Sequence, residues 1–208
     1  MGRLPALPGL EHSSRGYLFP EGGAIRASNA PVTGSWKEIN ANHSDEPIVQ
    51  DVFKLWIEHG VPSEAVSYQY VVRPGVDRVA FDAYAADVPI RVLHNTAEIQ
   101  AVTHGGLGVT GAVFYEPGVL SLASGAAIEV DQPVALLLEE GAGGAQLTLS
   151  SPEQNTGPVR VRFSFQAGNG SPERHEMSVS LPGGNRAGAS VSIRIEPTKE
   201  NEKITMMP

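Results

Sequence analysis

The residue types that could do chemistry gather in two short stretches of this 208-residue sequence. Residues 51–60, DVFKLWIEHG, hold a tryptophan, a histidine, a lysine and two carboxylates on an apolar background. Residues 39–46, INANHSDE, are followed downstream by two tyrosines. Imidazole and phenol groups can carry protons, and amides can hold an anion, so an Asn–His–Tyr acid–base set is one interpretation. Its candidate members are Asn40, Asn42, His43, Asp45, Glu46, Tyr68 and Tyr70.

A structural interpretation of the same residues is favoured in each case. Loops are rich in Asn, Asp and Ser for reasons of turn geometry alone, and Tyr68 and Tyr70 are expected to face a sheet core. His59 could be a pH-responsive or catalytic imidazole, but a histidine at a strand end that bonds nearby backbone is the commoner case. Trp36 and Trp56 could stack on sugar rings, although packing in the core or between layers is expected of large aromatics.

Metal, phosphate and anion sites have weak support. A calcium site in the loop at 41–47 lacks the alternating ligands of a calcium loop, and the glycine-rich residues 105–111 lack the strand-to-helix context of a phosphate site. Arg160 and Arg162 could meet an anionic sugar, but a solvated sheet face is the favoured interpretation. The histidines show no paired ligand spacing, and they lie at His12, His43, His59, His94, His104 and His175. We therefore expect no catalytic, cofactor-binding or metal-binding residue here, and the substrate-binding residues remain unknown.

The composition narrows the class of protein. Fifteen basic residues against 23 acidic ones give a net charge of −8, which argues against a nucleic-acid partner. The absence of cysteine excludes disulfides and thiolate chemistry. No apolar run approaches the roughly 18 residues of a membrane helix, so no membrane partner is expected. The first ten residues, MGRLPALPGL, lack the basic and apolar regions of a signal peptide.

The elements that must position these residues are mostly short strands. Residues 1–16 are predicted to be loop, and 16–20 and 24–28 are predicted to be strands. Residues 48–59 fit a helical or a strand period, and the early stop at Gly60 and Pro62 favours a strand with Phe53, Leu55 and Ile57 on one face. The alternation in SYQYVVRPG predicts a strand over 67–75. Residues 77–87 predict a helix with Asp77 as its N-cap.

The pattern changes at Val88. From there, apolar runs of five to seven residues recur between turn residues, as is typical of an antiparallel sandwich. VRVRFSF at 159–165 places Val159, Val161, Phe163 and Phe165 inward, and SVSIRI at 190–195 does the same with Val191, Ile193 and Ile195. The predicted class is all-β with antiparallel sheets. The boundary divides the chain into residues 1–87 and 88–208, and the tail at 196–208 is expected to fray.

Five strings in order over residues 17–118 resemble the polysaccharide lyase family 8 of hyaluronate, chondroitin AC and xanthan lyases. They are GYLFPEGG, TGSWKEIN, DVFKLWIEHG, SYQYVVRPG and NTAEIQAVTHGGLGVTGAVFYEPG. Members of that family pair an α/α toroid with a large antiparallel β region and a smaller C-terminal β-sandwich. The resemblance implies that residues 1–87 are the end of the central β region and that 88–208 are the C-terminal sandwich.

The resemblance also implies β-elimination beside a uronic acid, in which Asn and His neutralise the carboxylate and Tyr moves the proton, assisted by Arg. Those residues belong to the helical half of the family's proteins, and nothing in this sequence matches their motif. The implied role is to support the cleft without catalysis, with an acidic polysaccharide and a helical toroid as partners and an extracellular or periplasmic location. The alternatives are a stand-alone carbohydrate-binding sandwich and a non-covalent partner of a separate helical catalytic chain.

Overall fold

The computed structural model describes residues 9–61, 66–141, 144–154, 157–166 and 172–195. The chain divides into two compact units, unit 1 (Met1–Asp87) and unit 2 (Val88–Pro208). Every strand pairing in the described ranges is antiparallel, so the predicted all-β class is confirmed. No helix in the described part of the chain is long and apolar enough to cross a membrane.

The described elements of unit 1 are β1 (Gly9–His12), β2 (Arg15–Leu18), β3 (Ile25–Gly34), β4 (Ile48–Ile57), β5 (Val71–Pro74) and the α-helix α1 (Arg78–Ala86). The strands form a three-stranded sheet in the order β1-β2-β5 and a separate β3-β4 hairpin. Ser13 and Ser14 join β1 to β2 with φ of 52° and 60°, as two-residue hairpin turns require. The prediction of a loop over residues 1–16 is therefore wrong from Gly9 onward.

The structure tests three of the elements predicted in unit 1. Residues 48–57 form a strand paired along its length with β3, so the strand prediction is confirmed. The helix prediction is also confirmed, and the Asp77 carboxylate accepts the Ala80 N–H at 2.8 Å as its N-cap. The strand predicted over 67–75 begins only at Val71, because its ladder partner β2 ends at Leu18.

The buried core of unit 1 centres on Phe81 of α1, which is 2% exposed. A Cβ added to Gly16 would lie 2.1 Å from the Phe81 ring, and one added to Gly9 would lie 2.5 Å from it. The glycines of β1 and β2 therefore provide the space that the ring fills. The buried apolar residues described in this unit are Leu18, Phe19, Val76 and Phe81.

The described strands of unit 2 are β6 (Ile90–Asn95), β7 (Ile99–His104), β8 (Val109–Phe114), β9 (Gly118–Ser121), β10 (Ala127–Val130), β11 (Val134–Gly141), β12 (Gly144–Ser150), β13 (Pro158–Gln166), β14 (Pro172–Ser180) and β15 (Val191–Ile195). They form a six-stranded sheet in the order β15-β12-β11-β8-β7-β6 and a four-stranded sheet in the order β14-β13-β10-β9. Strands β13 and β15 fall on the alternating runs at 159–165 and 190–195, as predicted.

Alternate residues of both sheets of unit 2 form one apolar cluster. Val159 and Val161 of β13 are fully buried, and Phe163 packs against the cluster, as the alternation predicts. Ile193 of β15 is 8% exposed and lies in the same cluster. The side chain of Phe165 and the tail at 196–208 lie outside the described residues. One face of each sheet thus supplies a shared core, as in a sandwich.

Candidate functional site

The polar loop between β3 and β4 is closed by its own side chains. Asp45 accepts hydrogen bonds from Lys37 Nζ at 2.9 Å and from Ser35 Oγ at 3.3 Å. The Asn40 side-chain oxygen accepts the Asn42 N–H at 3.1 Å. These are the local bonds of a turn-forming segment. The interpretation of residues 40–46 as a connecting loop agrees with these contacts.

A groove of about 530 Å³ lies on unit 1. Its walls come from the end of β2, the second half of β4 and the extended segment before β5. The lining consists of Tyr17, Phe19, Phe53, Leu55, Trp56, Ile57, His59, Tyr68 and Tyr70. Small-molecule sites commonly have this size and this aromatic character.

Two tyrosines form the most exposed part of the groove. Tyr68 and Tyr70 are 58% and 56% exposed, so the expectation that they face a core is wrong. They lie two residues apart in the chain, and their rings are nearly parallel, with an interplanar angle of 12° and centroids 6.3 Å apart. Phe19 and His59 flank them, with ring centroids 6.5 Å from Tyr70 and 5.8 Å from Tyr68 respectively. The result is a row of aromatic rings in which Tyr68, Tyr70 and His59 are exposed and Phe19 is buried.

The tryptophans are also more exposed than expected. Trp36 is 57% exposed at the β3-β4 loop, and Trp56 is 37% exposed at the groove. Core packing is therefore the wrong interpretation for Trp36, and Trp56 lines an open groove. His59 lies two residues beyond the end of β4, as the strand-end interpretation expects. Unit 1 buries few of its described side chains, so aromatic residues that a thicker core would cover stay at its surface.

The residues that line the groove include no carboxylate. None of its lining residues is acidic or carries a lysine or arginine side chain. The nearest acidic residue in sequence, Glu58, accepts a hydrogen bond from Arg26 Nε at 2.6 Å.

The two arginines singled out on β13 belong to an ion-pair ladder of unit 2. Arg162 bonds Glu176 at 2.6 Å and Glu129 at 2.8 Å, and Arg160 lies 3.6 Å from Asp131. The hydrogen bond and charge of Glu176, then the charge of Glu129, raise the pKa of Arg162 above its ordinary value. Because carboxylates already surround both guanidinium groups, this face does not present free positive charge to an anionic sugar.

His104 and Gly108 of unit 2 cap a 3₁₀ turn over Gly105–Leu107. His104 Nδ1 accepts the Leu107 N–H at 3.2 Å, and Gly108 adopts φ of 62° at the end of the turn. The glycine-rich residues 105–111 thus form this turn and, from Val109, the beginning of β8. Among the described residues, no group of three or more His, Asp or Glu side chains is placed to hold a metal ion.

The groove could not be identified from the sequence alone. Its walls come from three separate segments, and the sequence predicts each of them to be a strand with one buried face. The signal that does exist is the Tyr68–Tyr70 alternation, which fixes both rings on one side. Alternation does not say whether that side is covered.

Two family models match this chain, one in each unit. Residues 4–85 match the super-sandwich domain of polysaccharide lyase family 8. Residues 91–160 match the C-terminal beta-sandwich domain of polysaccharide lyase family 8.

Curated enzymes and solved structures agree with these matches. Chondroitinase-AC of Pedobacter heparinus is 35% identical over 188 residues, which is 89% of this chain and 26% of that enzyme. Hyaluronate lyase of Thermasporomyces composti is 36% identical over 150 residues, 72% of this chain and 19% of that enzyme. A chondroitinase AC lyase structure, studied through enzyme–oligosaccharide complexes, aligns with a TM-score of 0.78 at 34% identity, over 88% of this chain and 27% of the other. This chain thus spans about a quarter of the length of the chondroitinase relatives.

Proposed function

This chain belongs to polysaccharide lyase family 8, and we propose that it is the β region of an enzyme that cleaves uronic-acid-containing polysaccharide by β-elimination. The observation that carries the proposal is the pair of family matches, super-sandwich domain and then C-terminal beta-sandwich domain, in one chain. We assign residues 1–87 to the end of the central β region and 88–208 to the C-terminal sandwich. The named relatives are a chondroitinase, a hyaluronate lyase and a xanthan lyase.

In this proposal the chain supports the cleft and contributes no catalytic group. β-Elimination requires the carboxylate charge of the uronate to be neutralised before a base removes the adjacent proton. The candidate loop offers little for that chemistry, because Asp45 is paired with Lys37 and Asn40 is engaged in a turn. The catalytic Asn, His, Tyr and Arg are assigned to a helical toroid, which is the proposed partner. An extracellular or periplasmic location suits a polymeric substrate.

Specific observations favour two alternative functions for this chain. A carbohydrate-binding module is favoured by the open aromatic groove of unit 1. A non-covalent partner of a separate catalytic chain is favoured by the small core of unit 1, which buries few of its described apolar residues. Such a unit gains stability when a second surface covers its exposed aromatic face.

The test is elimination activity measured with and without a catalytic partner. The full chain is incubated with hyaluronan, chondroitin and xanthan, and absorbance is followed in the unsaturated-uronate band. The proposal expects no rise from the chain alone. It expects a rise when the chain replaces the matching stretch of the Pedobacter heparinus chondroitinase-AC. A chimera that folds and shows no elimination contradicts the proposed role.

A further inference from the structure

We draw no further inference here: the strongest candidate, the aromatic groove of unit 1 between β2, β4 and the residues before β5, is an apolar surface on one piece of a super-sandwich domain, and nothing in the structure shows what covers it.

Discussion

Replacing Gly16 with alanine is expected to destabilise unit 1 through a clash with Phe81. The new Cβ would lie 2.1 Å from Phe81 Cδ2, 2.4 Å from Cε2 and 2.9 Å from Cγ. These atoms include the base of the ring, so a small rotation of its far end does not relieve the contact. Overpacking of this kind costs about 1–3 kcal/mol. The substitution destabilises unit 1 only if this overpacking cost exceeds the stabilisation of about 0.4–1 kcal/mol that alanine brings by restricting the unfolded chain.

The sign of the effect should reverse when the ring is trimmed. In a Phe81→Ala background all the clashing ring atoms are absent, so Gly16→Ala should become neutral or stabilising by up to about 1 kcal/mol. Gly34→Ala is the matched control, because its Cβ would lie 3.6 Å from the flexible end of Glu38. Both tryptophans, Trp36 and Trp56, lie in unit 1, so tryptophan fluorescence during urea unfolding reports on that unit. The predicted clash is refuted if Gly16→Ala behaves like Gly34→Ala, or if it costs the same in the Phe81→Ala background as in the natural chain.

Three further predictions concern unit 2. Leu120 is fully buried, so Leu120→Ala should lower stability by about 2–5 kcal/mol in urea unfolding followed by circular dichroism; an unchanged unfolding midpoint would contradict it. Arg162→Met should lower the melting temperature only slightly, and the loss should disappear in about 1 M salt because the ladder is solvent-exposed; a salt-independent loss would refute that. A hydrogen bond with the Thr96 side chain, then one with its own backbone, lowers the pKa of Glu98 below its ordinary 4.5. Its stabilisation is therefore fully present above pH 4.5 and lost as pH falls through the lower folded-state value, so the melting-temperature gap to Glu98→Gln should close in acid; a gap that widens in acid would disprove the assignment.

The elements that the sequence predicts correctly are those determined by residues within a few positions of one another. Asp77 before an apolar run predicts the start of α1, and the alternation of Val159 and Val161 predicts their burial in unit 2. The early stop at Gly60 favours a strand over residues 48–59, and a strand is present over Ile48–Ile57. Each of these signals depends on spacing within a few residues.

The features that were missed depend on contacts between distant segments. Strand β1 has the sequence GLEH, which lacks a strand pattern, and it forms because it pairs with β2 over the Phe81 ring. The exposure of Tyr68 and Tyr70 depends on which layer covers them, and alternation carries no information about that. Family resemblance indicates the class of enzyme from ordered strings of residues, whereas the groove requires the assembled walls of unit 1.

The most direct test of the central claim compares this chain alone with the same chain placed in the Pedobacter heparinus chondroitinase-AC in exchange for the matching stretch. Both are incubated with chondroitin at equal concentration, and absorbance in the unsaturated-uronate band is followed. We expect no unsaturated product from the chain alone and sustained product formation from the chimera. Unsaturated product from the purified chain alone would contradict the claim that its role is supportive.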